Sequence, residues 1–206
     1  MLEIVRPPVV PHLYFWALQA SMVDGHRVVG GAHLGLQWHA GHPGSTAVNW
    51  GGYAASGGEL GGEPSLLPSA TGNSNTRDFH WAPGVRYRLR IANAGDGLWL
   101  GEVTDLASGE RTVVRRLRGG GSALSTPMVW SEVFARCEDP SVVVRWSQLA
   151  PEPAAMRVTY QSQHDGGCAN TNVELDGDAV LQTTSTVRTI PHDSVLRRPR
   201  PGGRGQ

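Results

Sequence analysis

The chain has 206 residues, 39% of them hydrophobic, and its 18 basic and 18 acidic side chains give a formal net charge of zero. A neutral chain gives no reason to expect nucleic acid or an anionic membrane as a partner. No stretch approaches the ~20 apolar residues of a membrane-spanning helix. The 27 Gly and 14 Pro favour an all-β domain with many turns.

Three segments are predicted from the ends of the chain inward. Residues 1–11 indicate an extended N-terminal arm, and 197–206, rich in Arg, Pro and Gly, indicate a disordered tail. Residues 12–196 remain as a single β-sandwich domain. The N-terminus shows no basic region followed by an apolar run, so no signal peptide is visible. We therefore expect a soluble cytoplasmic protein, monomer or homodimer, with an extracellular location left open.

The predicted strands are short, rich in Val, Thr, Trp and Tyr, and separated by Gly, Pro, Asp or Asn. Helical periodicity is absent. About ten strands around one core predict a two-sheet antiparallel β-sandwich of jelly-roll, concanavalin-like type. The predicted strands are His12–Ser21, Gly31–His39, Thr46–Trp50, Thr76–Trp81, Val85–Asn93, Leu98–Leu106, Arg111–Leu117, Met128–Cys137, Val142–Leu149, Met156–Gln163 and Val180–Ile190.

The clearest strand alternates arginine with apolar side chains, a period of two that indicates one buried face and one face toward water or a ligand. The alternating arginines are Arg86, Arg88 and Arg90. Before them, Pro83–Gly84 has the residues of a tight turn. Together with the apolar pair Phe79 and Trp81, this turn predicts a β-hairpin.

The strand Met128–Cys137 is the most informative for function. Its small side chains share one face, which suits a sandwich interior, while Trp130 and Glu132 share the other. A short turn leads to the next strand. An even number of turn residues places Glu132 opposite Arg145, whereas an odd number buries the arginine among valines, which is costly. We therefore predict a Glu132–Arg145 ion pair.

The long irregular segment 40–75 is rich in glycine and carries Trp50 and Tyr53. Loops of this length inside a compact domain are usually functional or disordered. The strand-to-helix context of a phosphate-binding glycine loop is missing, which excludes a nucleotide site here. We expect the segment to roof a ligand groove.

Several motifs, in one order across residues 12–149, resemble an uncharacterised bacterial family of concanavalin-like sandwich domains. They are Gly31–Gln37, Val48–Trp50, Phe79–Tyr87, Trp99–Val103 and Trp130–Phe134. Members of that family often stand beside carbohydrate-related modules. The resemblance implies a sandwich fold and a role in contact with glycans.

The first functional hypothesis is a lectin-like carbohydrate-binding module that binds a saccharide or another small molecule on a concave sheet. Exposed aromatic rings beside amide and carboxylate groups suit the C–H faces of sugars, although we expect at least half of the seven Trp to be buried. The candidate ligand-binding residues are Gln37, Trp38, Asn49, Trp50, Tyr53, Trp99, Trp130, Glu132 and Arg145.

The alternative is a cofactor-independent enzyme, either a glycoside-active hydrolase or lyase, or a small-molecule cyclase or isomerase. Glycosidases need two carboxylates ~5–9.5 Å apart. Glu132 has no acidic neighbour on its strand face, and Glu102 on another strand is the partner we consider. The structural ion pair is the favoured interpretation of Glu132, so no catalytic residue is assigned. An assembly protein is a third hypothesis, based on exposed strand edges.

Metal and thiol chemistry have little support in the sequence. His39 and His42, the turn His164–Cys168, and Asp176 with Asp178 match no familiar ligand spacing. We predict no metal and no cofactor. Cys137 and Cys168 form either one disulfide or two free thiols.

Overall fold

The computed structural model describes residues 1–150, 153–160 and 171–197, and their regular structure is β apart from one short 3-10 helix at Pro43–Ser45. The strands are β1 Leu2–Arg6, β2 Tyr14–Asp24, β3 Arg27–Trp38, β4 Thr46–Ala54, β5 Thr76–Asp78, β6 Arg86–Gly95, β7 Leu98–Asp105, β8 Arg111–Arg118, β9 Ala123–Val133, β10 Val143–Trp146, β11 Ala155–Arg157, β12 Thr171–Asp176, β13 Ala179–Thr184 and β14 Val195–Arg197. Within the described ranges, no helix is long and apolar enough to cross a membrane.

Two antiparallel sheets enclose one apolar core, which confirms the predicted two-sheet β-sandwich. The seven-stranded sheet has the order β12-β13-β10-β1-β6-β7-β8, and the five-stranded sheet has the order β5-β4-β3-β2-β9. Buried side chains of both sheets form a single cluster. Strands β11 and β14 pair with each other outside the two main sheets.

The N-terminal arm is part of the sandwich. Leu2–Arg6 form β1, which lies between β10 and β6 in the middle of the seven-stranded sheet. Leu2 and Ile4 are fully buried in the core. The extended conformation was predicted correctly, but its pairing was not. Most of the predicted tail, 198–206, lies outside the described residues.

Tryptophan fills the core, as expected. The fully buried tryptophans are Trp16, Trp50, Trp81, Trp99 and Trp146. Trp50 lies against Gly101 of the opposite sheet, where an added Cβ would come within 2.6 Å of the indole ring. The glycine is therefore needed for the two sheets to close over Trp50.

The predicted hairpin at Pro83–Gly84 is wrong. Strand β5 before the turn belongs to the five-stranded sheet, whereas β6 after it belongs to the seven-stranded sheet. The turn therefore carries the chain across the sandwich, with Gly84 at φ +75°, a conformation that favours glycine. Trp81 is buried beside the turn and donates from Nε1 to the carbonyl oxygen of Gln37 at 3.0 Å. The turns between β7 and β8 and between β12 and β13 join strands that pair with each other as hairpins.

The glycine-rich segment does not roof a groove. Its first part is β4, and the stretch after β4 runs along the free edge of β8. Gly62 forms a bridge with Leu117, and Glu63 N–H donates to the carbonyl oxygen of Arg116 at 2.9 Å. The segment thus closes the open side of the sandwich between β4 and β8. Elsewhere, Cys137 is disulfide-bonded, while Cys168 lies outside the described residues.

Candidate active site on the outer face of the five-stranded sheet

One row of side chains crosses the outer face of the five-stranded sheet. The strand registers place Asp78, Ala47, Gln37, Phe15 and Glu132 opposite one another, from β5 through β4, β3 and β2 to β9. Adjacent strands lie ~4.8 Å apart, so the Cα atoms of Gln37 and Glu132 are about 10 Å apart. We call this set the Gln37–Glu132 row.

The side chain of Gln37 faces outward, because the alternate residues of β3 pack in the core. Leu34 and Leu36 are fully buried on the opposite face of β3, so alternation directs Gln37 away from the core. Its side chain is nevertheless only 6% exposed. The buried amide oxygen, Oε1, has no hydrogen-bond partner among the described residues. An unpaired buried acceptor costs free energy unless a water or ligand donates to it.

Glu132 lies on β9, at the opposite end of the Gln37–Glu132 row from Asp78. Strand β9 is the edge of its sheet, and Val129 and Val133 pack against the core. Their inward orientation confirms the predicted faces of this strand. No cation of the described residues lies within salt-bridge distance of Glu132. Partial burial of the carboxylate raises the pKa of Glu132, which is typical of groups that exchange protons during catalysis.

Phe15, between these two residues, leans out of the row. A Cβ at Gly35 would come within 2.7 Å of Cε2 of the Phe15 ring, so the ring lies over this glycine. It also makes edge contacts with Trp130 and His33, at centroid distances of 4.9 and 5.6 Å. The ring is thereby directed towards Gly35, His33 and Trp130, away from Gln37.

A hydrogen-bonded cluster forms one wall of this face. Trp130 donates from Nε1 to Oε1 of Gln19 at 2.9 Å, and its ring meets His33 edge-on at 5.8 Å. Burial lowers the pKa of His33, which favours a neutral imidazole. The wall therefore fixes the Phe15 ring without placing a charge beside it.

At the β5 edge of the outer face, which we call the rim, buried His42 holds two segments together. His42 contacts Oδ1 of Asp78 through Nδ1 at 2.5 Å, and its Nε2 lies 3.3 Å from Oγ1 of Thr71. The backbone N–H of Ala70 also donates to Asp78 at 3.1 Å. Because these contacts bind segment 69–71 to β5, we interpret them as a structural anchor for the rim. The second of the two histidines whose spacing matched no metal site, His39, meets the ring of His42 edge-on at a centroid distance of 5.1 Å, and its Nδ1 accepts from the backbone N–H of Gly41 at 3.0 Å. Within the described residues, no group of three or more His, Cys, Asp or Glu is arranged to hold a metal ion.

Five of the candidate ligand-binding residues share the outer face: Gln37, Asn49, Tyr53, Trp130 and Glu132. The other four are elsewhere. Trp50 and Trp99 are sealed in the core, so neither can form a sugar platform. Trp38 points to the core side and donates to the carbonyl oxygen of Val10 at 2.9 Å.

Arg145, the fourth of these residues, does not form the predicted ion pair with Glu132. It lies on β10 in the seven-stranded sheet, whereas Glu132 lies on β9 in the five-stranded sheet. Arg145 pairs with Asp176 at 2.5 Å instead. The prediction failed because β9 and β10, although consecutive, do not form a hairpin. The alternative partner, Glu102, is also in the seven-stranded sheet and pairs with Arg90 and Arg111.

Sequence reasoning missed the contributions of Phe15, Gln19 and His33. All three were visible as the residues that alternate with the apolar core positions of β2 and β3. Nothing in the pattern singles them out, because alternation marks every outward position of a strand equally.

No protein-family model matches the chain, and no curated protein matches it. The suggested resemblance to a concanavalin-like family therefore stays a prediction. Among solved structures, aspergilloglutamic peptidase from Aspergillus niger aligns with a TM-score of 0.46 and 13% identity, over 83% of this chain and 99% of that chain. Scytalido-glutamic peptidase with a transition state analog inhibitor aligns with a TM-score of 0.39 and 10% identity, over 88% of each chain. SCP-B, a member of the Eqolisin family of peptidases in complex with the tripeptide Ala-Ile-His, aligns with a TM-score of 0.33 and 8% identity, over 88% of this chain and 94% of that chain.

The hypothesis of a lectin-like carbohydrate-binding module is wrong. The aromatic platform that the hypothesis required is missing, because Trp50 and Trp99 are core residues.

Proposed function

We propose that the chain is a cofactor-independent hydrolase of amide bonds in peptides, with Glu132 as general base and acid and Gln37 as the group that positions water and stabilises the oxyanion. The observation that supports this assignment is the Gln37–Glu132 row. Among the described residues, the carboxyl group of Glu132 has a raised pKa and no cation within salt-bridge distance, and the buried carboxamide oxygen of Gln37 has no hydrogen-bond partner.

The chemistry of the row favours acyl transfer over glycoside hydrolysis. Retaining and inverting glycosidases require a second carboxylate within ~5–9.5 Å of the first. The other carboxylate in the row, Asp78, is four strand spacings from Glu132, about 19 Å between Cα atoms. A carboxyl group paired with a carboxamide instead supplies the two functions that a tetrahedral intermediate needs, proton transfer and hydrogen bonding to the oxyanion.

The shape of the face favours a peptide over a small metabolite. A cyclase or isomerase usually encloses its substrate in a deep pocket. Glu132 instead stands exposed at the sheet edge, where an extended chain can reach it from solvent. The scissile carbonyl of such a chain would lie between Glu132 and Gln37.

Each residue has a defined role in the reaction. The ionised carboxylate of Glu132 takes a proton from a water molecule whose other hydrogen is held by Oε1 of Gln37. The water oxygen attacks the amide carbonyl, and Nε2 of Gln37 donates to the oxygen that becomes negative. Protonated Glu132 then gives its proton to the departing amine, and the C–N bond breaks. Water is consumed, and the carboxylate is regenerated.

The test is hydrolysis of a mixed peptide library and of unfolded casein, followed by mass spectrometry from acid to neutral pH. Glu132→Gln removes the base and Gln37→Leu removes the carboxamide at nearly constant volume. We expect losses of at least ~100-fold for the first and about 100-fold for the second. The rate of the parent protein should rise with pH through a pKa above the ordinary value of glutamate, because burial raises the pKa of Glu132.

Glu110→Gln is the matched control, since Glu110 is exposed in the β7–β8 turn. It should cleave at the parent rate. The proposal fails if the folded parent protein cleaves no peptide, or if Glu132→Gln retains full activity while Glu110→Gln behaves identically.

A further inference from the structure

The arginines of the chain are distributed unevenly. On the outer face of the seven-stranded sheet, strands β6 and β8 present six arginines, and β7 between them presents a single carboxylate, Glu102. The six, which we call the arginine face, are Arg86, Arg88, Arg90, Arg111, Arg116 and Arg118. A net charge of zero for the whole chain therefore conceals a locally positive surface.

Glu102 organises the centre of this face. Its side chain is buried, and it pairs with Arg90 at 3.3 Å and with Arg111 at 2.5 Å. Two guanidinium groups are thus held on either side of β7, each with more than half of its side chain exposed. Arg116 pairs with Glu63. Arg88 and Arg118 are exposed and form no salt bridge with any described residue, so their charges are available to an anion. Arg86 lies opposite Glu3 of β1.

An exposed apolar tip borders the same face. Segment 61–66 runs along the edge of β8, and Leu66 at its end is completely exposed. Val113, on the arginine face opposite Glu102, is 45% exposed. Leu66, Val113 and Arg116 line one shallow depression. The combination is an apolar tip directly beside a cluster of cations.

We propose that the arginine face and the Leu66 tip form a docking surface for an anionic lipid bilayer. Guanidinium groups bind lipid phosphates through paired hydrogen bonds, while an exposed leucine gains from insertion among the acyl chains. The surface is on the sheet opposite to the Gln37–Glu132 row, so a docked molecule keeps that row free. This inference does not depend on the proposed peptidase activity.

The apolar tip distinguishes a bilayer from a nucleic acid. Single-stranded nucleic acids are held by stacking on aromatic side chains, and the outer face of β6, β7 and β8 carries no aromatic residue. Phosphate contacts with a duplex would use the arginines but would gain nothing from Leu66. The lipid surface is the partner that uses both features.

The test is co-sedimentation of the full chain with vesicles of phosphatidylcholine alone or with added phosphatidylglycerol, at low and high salt. We expect binding only to the anionic vesicles, weakened by salt. Arg88→Gln with Arg118→Gln should lower the partition coefficient about 25-fold, since each surface arginine contributes about fivefold. Leu66→Asp should lower it about tenfold.

Arg27→Gln is the matched control, because Arg27 is an exposed arginine in the β2–β3 hairpin of the other sheet. It should bind vesicles within about twofold of the parent, allowing for long-range charge. Circular dichroism confirms that each variant is folded. Equal binding to neutral and anionic vesicles, full binding by the double arginine variant, or binding to duplex DNA in place of vesicles would each overturn the proposal.

Discussion

Gly35→Ala is the substitution that tests the geometry of the site most directly. A Cβ at this position would lie 2.0 Å from the carbonyl oxygen of Trp16, 2.7 Å from Cα of Ala17 and 2.7 Å from the Phe15 ring. Two of these neighbours are backbone atoms, which cannot rotate away. Overpacking of a tight site usually costs ~1–3 kcal/mol, and we expect about 3 kcal/mol here because strand β2 itself must move. That is a fifth or more of the ~5–15 kcal/mol of a typical domain.

The assay is denaturant unfolding followed by tryptophan fluorescence, with Gly58→Ala as the matched control. Gly58 has no atom within 4 Å of an added Cβ, so its free energy of unfolding should change by less than ~0.5 kcal/mol. Because the Phe15 ring lies over Gly35, the substitution should also lower peptide cleavage. If Gly35→Ala unfolds at the same denaturant concentration as Gly58→Ala, the close approach of β2 and β3 is wrong, and so is the position of Phe15.

Two further predictions concern the carboxyl groups of Glu132 and Glu102, whose pKa values are shifted in opposite directions. Burial raises the pKa of Glu132, so its contribution to stability is complete below the unfolded-state pKa and is lost as pH rises through the folded-state pKa. Glu132→Gln should therefore raise the melting temperature at neutral pH but not in acid; a gain that is the same at every pH would contradict the raised pKa. Burial also raises the pKa of Glu102, but hydrogen bonds and charge from Arg111 and Arg90 outweigh it, and the net pKa is lowered. Glu102→Gln should cost about 1–2 kcal/mol at neutral pH after solvent screening, and less as pH falls through the folded-state pKa of Glu102; a larger cost in acid would refute the pairing.

The alternation of side chains in the sequence predicted correctly which residues of a strand face the core. It did not predict which strands pair with each other. The inward side chains of β9 were correctly assigned because a period of two depends only on local backbone geometry. The pairing of Glu132 with Arg145 assumed that strands joined by a short turn are neighbours in one sheet. In a sandwich, a turn can also carry the chain from one sheet to the other, as Pro83–Gly84 does here. Nothing in the turn residues alone distinguishes the two cases.

The candidate site was predicted only in part, because alternation identifies the face of a strand on which a residue lies but not which strands are neighbours. Gln37, Trp130 and Glu132 were named as candidates and do share one face. The prediction for Trp50 was wrong because an aromatic residue among glycines suggests an exposed loop. It is a core residue in β4, and the glycine that accommodates its ring, Gly101, is on another strand. Such a contact between distant segments leaves no local pattern.

The outer face of the five-stranded sheet is unusual for a surface that meets only water. One face of an antiparallel sheet is normally solvated and polar, yet Phe15, Ala17 and Ala47 are as buried here as core residues. Among them lies the carboxamide of Gln37, whose unpaired oxygen costs ~1–3 kcal/mol if nothing donates to it. An apolar residue of the same volume would remove that cost. The cost is offset when a water or a substrate donates to Oε1, which is the contact that the proposed mechanism assigns to the attacking water.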